Sequence, residues 1–139
     1  MRPTTVTLAL LAGCALAGGC TVTPAERARD QAAAATTQQK LDARLAGLSP
    51  GPQTDCIPQY PTVHSEPYGA KIVYIVSNRL VYVNDTGGGC EGLDRGDYLV
   101  TISHGGRLCR GDIGQTFQTG TNVPTGSCAL GSFTPYSRP

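Results

Sequence analysis

The chain has 139 residues, the size of one domain, and its 11 basic and 10 acidic side chains leave it nearly neutral. This balance provides no basic stripe for nucleic acid and no acidic block of the kind that forms solvated tails. Because only 15% of residues are charged while Gly and Pro number 18 and 10, the composition favours a turn-rich β protein over a helical bundle.

The N-terminus has the pattern of a bacterial lipoprotein signal. Arg2 is followed by an uncharged apolar stretch over 6–17, which is too short for a comfortable membrane span. Small residues then precede a cysteine, which resembles the lipobox, where a cysteine thiol is acylated and the preceding segment is removed. Cys20 leaves an apolar core of normal length, whereas Cys14 matches the motif better but leaves a core of only about six residues. We therefore predict a signal peptide over 1–19 and acylation at Cys20, with Cys14 as the alternative.

The residue after the acylated cysteine indicates the destination of such a lipoprotein. In Gram-negative lipoproteins an Asp at this position tends to retain the protein in the inner membrane, but Cys20 is followed by Thr21 and Cys14 by Ala15. We therefore expect a protein on the periplasmic face of the outer membrane, held in the lipid bilayer by several acyl chains. The alternative is ordinary secretion after cleavage at one of the small residues.

Residues 20–52 predict a polar helical stalk between the anchor and the domain. Thr23 and Glu26 have the spacing of a capping box, and Pro24 suits the first helical position. Alanine, glutamine and basic residues follow, all of which are good helix formers, until Gly47. The heptad pattern is too poor for a coiled coil, and we expect one end of the helix to dock on its own domain through three leucines. These are Leu41, Leu45 and Leu48.

From residue 53 to residue 139, short runs of β-branched and aromatic residues predict an all-β domain. Five or six such strands fit a small antiparallel sandwich or a partly open barrel, stapled by two disulfides and preceded by the helix. We expect Ser77 and Asn78 to turn a first hairpin, and residues 104–106 to turn a second one. The expected strands are 70–76, 79–84, 97–103, a return strand that begins at 107, 113–118 and 128–133, with a loop over 84–89.

The tripeptide Arg-Gly-Asp occurs twice, at 95–97 and at 110–112. Both copies stand at predicted strand boundaries, where Gly supplies permissive backbone angles and Asp can hydrogen-bond the turn. We therefore interpret them as turns, since a tripeptide is too short to be a specific adhesion signal.

Four cysteines remain in the mature domain, and an even number in a small exported domain predicts two disulfides. Three pairings are possible. We favour Cys90–Cys109 with Cys56–Cys128, because this pairing closes the second hairpin and ties together the ends of the domain. No pair has the C-x-x-C spacing of a redox centre, and the wide separations argue against zinc.

The other candidates for chemistry are weak, so we predict no catalytic site, no metal site and no cofactor. Asp94, Asp97 and Asp112 can meet beside His104 around the second hairpin, but each Asp also suits a turn. His64 lies in a Pro-flanked loop. Alternating tyrosines can line a ligand groove, although they more often pack across strands. They are Tyr60, Tyr68, Tyr74 and Tyr82.

Five short words lie around the cysteines in a fixed order: DCI (55–57), RLVYVND (79–85), GCEGL (89–93), GGRLCRGD (105–112) and GSCALGSF (126–133). Their order resembles a family of small proteobacterial lipoproteins of unknown function. The resemblance covers about residues 55–136 and implies a lipobox followed by a compact four-cysteine domain. It provides no catalytic or binding residues to transfer. The chain departs from the family in its alanine-rich segment before Cys56 and its longer glycine loop before Cys90.

We therefore expect a non-catalytic binding or structural module of the cell envelope. Its partners are the lipid bilayer, contacted through the acyl chains, and an envelope protein or other component; we expect no nucleic acid. An exposed apolar or aromatic patch on one sheet face would support this function. One alternative is a small-ligand carrier, which requires a barrel enclosing an apolar cavity. Another is an enzyme that uses Asp and His side chains near the 104–112 turn.

Overall fold

A computed structural model describes residues 22–60, 64–103 and 105–139. Cys14, Cys20 and the signal peptide predicted over 1–19 lie outside these residues. The helices and strands, in chain order, are α1 (Pro24–Arg44), β1 (Ser49–Pro50), β2 (Cys56–Pro58), β3 (His64–Tyr68), β4 (Lys71–Ser77), β5 (Leu80–Asp85), the 3-10 helix η1 (Glu91–Arg95), β6 (Tyr98–Thr101), β7 (Arg107–Cys109), β8 (Ile113–Phe117), β9 (Pro124–Ala129) and β10 (Phe133–Ser137).

The strands form three antiparallel sheets. The largest has the order β1-β10-β5-β4-β3, a second has the order β6-β8-β9, and β2 pairs with β7 in a third. The sheets do not close into a barrel. The predicted all-β antiparallel fold, with a preceding helix and two disulfides, is confirmed.

The first core lies between the five-stranded sheet and the two smaller sheets. Strand alternation puts Ile72 and Tyr74 of β4 on this side, next to the fully buried Phe133 of β10. The rings of Tyr74 and Phe133 are tilted, with their centroids 5.7 Å apart. Complete burial of one such apolar side chain contributes about 1.5–3 kcal/mol. The other buried members are Ile57, Cys90, Leu93, Leu108, Cys128 and Leu130.

The second core lies on the opposite face of the five-stranded sheet, under the C-terminal half of α1. Leu41 is buried there against the three valines of β4 and β5, Val73, Val81 and Val83, while Leu45 and Leu48 pack at its side. The predicted docking of one helix end on the domain is therefore confirmed. Because both faces of the sheet are covered, β4 is a nearly continuous apolar run instead of a polar–apolar alternation.

A polar cluster borders this second core. The Arg44 Nε donates to the Glu66 Oε2 at 2.9 Å, and the Tyr68 hydroxyl donates to the same oxygen at 3.1 Å. Partial burial, together with this bond to a carboxylate, raises the pKa of Tyr68. The cluster thus ties the last turn of α1 to β3.

The start of α1 has the capping box that the sequence predicts. Thr23 N donates to Glu26 Oε2 at 2.8 Å, and Glu26 N donates to the Thr23 hydroxyl at 3.2 Å. Hydrogen bonds from the Thr23 backbone and hydroxyl favour the carboxylate and lower the pKa of Glu26. Of the described helices, none is both long enough and apolar enough to cross a membrane.

One expected hairpin and one expected strand are wrong. β6 pairs with β8 while β7 pairs with β2, so the second predicted hairpin, with its turn over 104–106, does not form. The expected strand over 128–133 is instead the connection between two strands of different sheets, because β9 ends at Ala129 and β10 begins at Phe133. Leu130 is buried at this connection; its N–H donates to Asp112 O and its carbonyl accepts from Gly111 N.

The four domain cysteines form two disulfides, but the favoured pairing is wrong. Cys56 is bonded to Cys109, and Cys90 is bonded to Cys128. The reason is the strand pairing, since β7 lies beside β2 and places Cys109 directly opposite Cys56. The second bridge is buried in the first core and links the segment before η1 to β9.

Candidate functional site

The three aspartates considered for catalysis hold separate parts of the fold. The Asp94 carboxylate accepts from Gly69 N, with distances of 3.1 and 3.3 Å to its two oxygens. Asp97 Oδ2 accepts from the Thr125 hydroxyl at 2.6 Å, and Asp112 Oδ2 accepts from Cys109 N at 2.8 Å. Within the described ranges, no three His, Cys, Asp or Glu side chains are placed to hold a metal ion. His104 lies outside those ranges.

Both Arg-Gly-Asp tripeptides form turns, as the sequence predicts. Gly96 ends η1 in the left-handed conformation, with φ of 92°. Gly111 has φ of 90° between β7 and β8, where Asp112 N donates to Cys109 O at 3.0 Å. Because residues with a side chain rarely adopt these backbone angles, Gly is required at both positions.

The tyrosines do not share one groove. Tyr74 and Tyr82 lie directly opposite each other on β4 and β5 and pack in the first core, which confirms cross-strand packing for this pair. Tyr68 instead packs in the second core, and Tyr60 is 84% exposed.

The three-stranded sheet has an apolar surface that faces away from the first core. Tyr98 (40% exposed) and Val100 (43%) alternate on this side of β6 with the inward Leu99 and Thr101; Ile102 (68%) follows, and Ile113 (48%) lies on β8. The rings of Tyr98 and Phe117 are stacked, with their centroids 5.7 Å apart. We call this surface the outer face; it consists of Tyr98, Val100, Ile102, Ile113 and Phe117.

A groove opens at the seam between the five-stranded and three-stranded sheets. It consists of two adjoining cavities of about 230 and 310 Å³, which share His64, Ser65 and Leu99 in their linings. Its walls come mainly from β3 and β6, so we call it the β3–β6 groove. The other lining residues are Gln59, Pro67, Tyr74, Leu93, Asp97, Tyr98, Thr101 and Leu108.

The Tyr74 hydroxyl is the unusual group of this groove. Tyr74 is 4% exposed, and its buried hydroxyl oxygen has no hydrogen-bond partner among the residues that the structure describes. Burial disfavours the phenolate and raises the pKa of Tyr74 well above its ordinary value. The side chain is therefore a protonated donor at neutral pH.

The carrier hypothesis requires an internal apolar cavity, but the space between the sheets is filled by the first core. An apolar cavity of about 330 Å³ lies elsewhere, between α1 and the β3–β4 hairpin, where Ala33, Ala34 and Leu41 face Tyr68. It lies outside the sheets and is not the barrel interior that a carrier needs.

Comparisons of the chain with protein-family models, with curated proteins and with solved structures found no match. The outer face and the β3–β6 groove are therefore the features from which a function can be inferred.

Proposed function

We propose that this chain is an outer-membrane lipoprotein, acylated at Cys20, whose β domain binds a protein in the periplasm without catalysis. The observation that carries the proposal is the outer face. Contiguous exposed apolar surface is unusual on a soluble domain and marks interaction sites. Here it includes branched aliphatic side chains as well as a stacked aromatic pair.

The chemistry of the outer face suits a protein partner. Gln115 of the central strand β8 lies directly opposite Val100 and between Ile113 and Phe117, and Ser127 is exposed on the same side of the sheet. Such a mixture of apolar, aromatic and polar side chains is usual in protein–protein interfaces. The Cys90–Cys128 bridge holds β9 and thereby helps to keep this sheet rigid before binding.

The proposed anchor is consistent with the rest of the domain. Two disulfides fit an oxidising compartment such as the periplasm. The 21 residues of α1 span about 30 Å, and the N-terminal half of the helix is exposed. Such a helix can hold the β domain away from a bilayer. The resemblance to the small proteobacterial lipoproteins agrees with this arrangement.

A crosslinking experiment tests the proposed interface. We would place a photoreactive benzoylphenylalanine at Val100 of the full-length chain in a Gram-negative host, with Asn78, in the exposed β4–β5 turn, as the control position. We expect one discrete adduct from Val100 and none from Asn78. The adduct should disappear when Ile113→Asp is added, because a charge then enters the contact. An adduct that survives Ile113→Asp would contradict the proposal.

The intact mass of protein extracted from membranes tests the anchor. We expect a mass that begins at Cys20 and carries acyl chains, and loss of membrane association in Cys20→Ala. Cys14→Ala should keep the same acylated mass. An unacylated mass, or acylation that depends on Cys14 instead, would overturn this part of the proposal.

A further inference from the structure

We propose that the β3–β6 groove receives an extended segment of a partner polypeptide, which adds a strand at the open seam between the two sheets. The groove is separate from the centre of the outer face, so this inference does not depend on the function proposed above.

The sheet edges argue for strand addition. The five-stranded sheet ends in β1 and β3, and the three-stranded sheet ends in β6 and β9. β1 has only two residues and includes Pro50. The edge of β9 is approached by Gly89, which packs so closely on the Ser127 carbonyl that a side chain would not fit there. Among the strands that the structure describes, the remaining edges of these two sheets are β3 and β6, and both line this groove.

An unprotected strand edge offers unpaired backbone N–H and C=O groups. Extended peptides bind such edges through main-chain hydrogen bonds, while pockets between the strands select alternate side chains. Pro67 lacks an N–H and therefore limits pairing on β3 to the part around Ser65. The same Pro restrains uncontrolled pairing between copies of the chain.

The unpaired Tyr74 hydroxyl is an independent observation that supports ligand binding in the groove. Buried polar groups are nearly always hydrogen-bonded, yet this hydroxyl, in the part of the chain that the structure describes, has no partner. An inserted strand can accept its hydrogen through a backbone carbonyl or a polar side chain. The donor then becomes satisfied only in the complex.

The lining also indicates which peptide fits. The smaller cavity of the groove is lined by the polar residues Gln59, Ser65 and Thr101 together with the apolar Leu99 and Leu108. Of the ionisable lining side chains, His64 borders both cavities and Asp97 borders only the larger one, where its carboxylate already accepts from Thr125. We therefore expect an extended segment with uncharged side chains, alternately apolar and small or polar, instead of a charged peptide.

The probe for this inference is a phage-displayed library of random 12-residue peptides, selected on the full-length chain in detergent. The most enriched peptide is then synthesised, its Kd is measured by fluorescence anisotropy, and its footprint is mapped by amide hydrogen exchange. We expect protection of backbone amides in β3 and β6. Failure to enrich any peptide would overturn the proposal.

Matched variants locate the bound peptide. Ser65→Trp and Thr101→Trp fill the groove from opposite walls and should weaken binding at least 10-fold, whereas Ser137→Trp on the exposed end of β10 should not change it. Two groove variants are used so that the test survives if one of them fails to fold. A peptide that binds the folded groove variants with unchanged Kd would contradict the inference. A footprint on Ile113 of β8 that leaves β3 unprotected would instead support the outer face and overturn the groove.

The variant Tyr74→Phe tests whether the Tyr74 hydroxyl contributes to peptide binding or to the stability of the fold. Because the hydroxyl has no partner among the described residues, its removal should leave the melting temperature unchanged or higher, while peptide binding weakens about 3- to 10-fold. Tyr60→Phe, at an exposed tyrosine, is the control and should change neither quantity. A lower melting temperature with unchanged Kd would show that the hydroxyl serves the fold, and it would overturn this assignment.

Discussion

Asn84 illustrates, at the scale of a single residue, how a polar side chain is accommodated in the interior. It is fully buried, its Nδ2 donates to Gly131 O at 2.7 Å, and Gly131 N donates to its Oδ1 at 3.0 Å. The sequence predicts a strand over 79–84 and a loop over 84–89, because Asn, Asp, Thr and Gly all favour turns. Asn84 belongs to β5, which continues to Asp85, and its amide satisfies a backbone segment that is distant in sequence.

Replacing Asn84 should therefore destabilise the domain. Asn84→Ala leaves the N–H and the carbonyl of Gly131 without partners, and each unsatisfied buried group costs about 1–3 kcal/mol. We expect the free energy of unfolding, measured by urea denaturation, to fall by about 2–4 kcal/mol. Asn78→Ala in the exposed turn should change it by less than about 0.5 kcal/mol. Equal effects of the two changes would contradict the role assigned to Asn84.

Tyr74 should make the domain sensitive to alkaline pH. Its pKa is raised in the folded state, whereas an unfolded tyrosine titrates near pH 10. The unfolded chain therefore releases this proton first, and stability that is fully present below about pH 10 is lost as the pH rises further. Urea midpoints between pH 8 and 11 should fall less steeply for Tyr74→Phe than for the original chain. Tyr60→Phe should keep the original slope; the same slope in all three proteins would refute the prediction.

At the scale of elements, the sequence predicts best where a local signal is strong. The capping box of α1, the β4–β5 hairpin and β8 are all found within one or two residues of their expected positions. β1, β2 and β3 were not predicted, because they are short and rich in Pro and polar residues, and they become strands only through pairing with distant partners.

The orientation of β6 shows a second limit of the sequence. Alternation correctly puts Tyr98, Val100 and Ile102 on one side, but nothing in the pattern says whether that side faces the core or the solvent. The structure turns Leu99 inward and leaves the other set exposed. The candidate binding surface is therefore the apolar side of β6 that stays exposed, and strand alternation alone does not indicate which side this is.

The docking of α1 leads to a prediction at this scale. Leu41 is the one buried side chain of this helix, and it packs on valines of the five-stranded sheet. Leu41→Ala should lower the free energy of unfolding by about 2–4 kcal/mol, through lost burial and the cavity that remains. Val22→Ala, before the helix at an exposed position, should have almost no effect. A small effect of Leu41→Ala in urea denaturation would mean that α1 does not stabilise the domain.

At the scale of the whole molecule, the limiting question is which sheet each strand joins. The sequence predicts that the strand after β6 pairs with β6, and this prediction favours a Cys90–Cys109 disulfide. In the structure β7 pairs with β2 instead, and Cys109 is bonded to Cys56. Cysteine number and compartment predict that two bridges form, but their connectivity depends on long-range topology.

The two bridges should differ in their contribution to stability. They span 53 and 38 residues of sequence, so loop closure alone predicts a similar stabilisation of about 4 kcal/mol for each. Cys90 and Cys128 are buried in the first core, whereas Cys56 is half-buried on a short strand. Removing both buried cysteines by Cys90→Ala and Cys128→Ala should therefore cost more in urea denaturation than Cys56→Ala with Cys109→Ala, because it also removes packing from the core. A digest without reduction should yield peptides that join Cys56 to Cys109. If the Cys56–Cys109 pair proved the costlier to remove, stability would depend more on the β2–β7 sheet than on the first core.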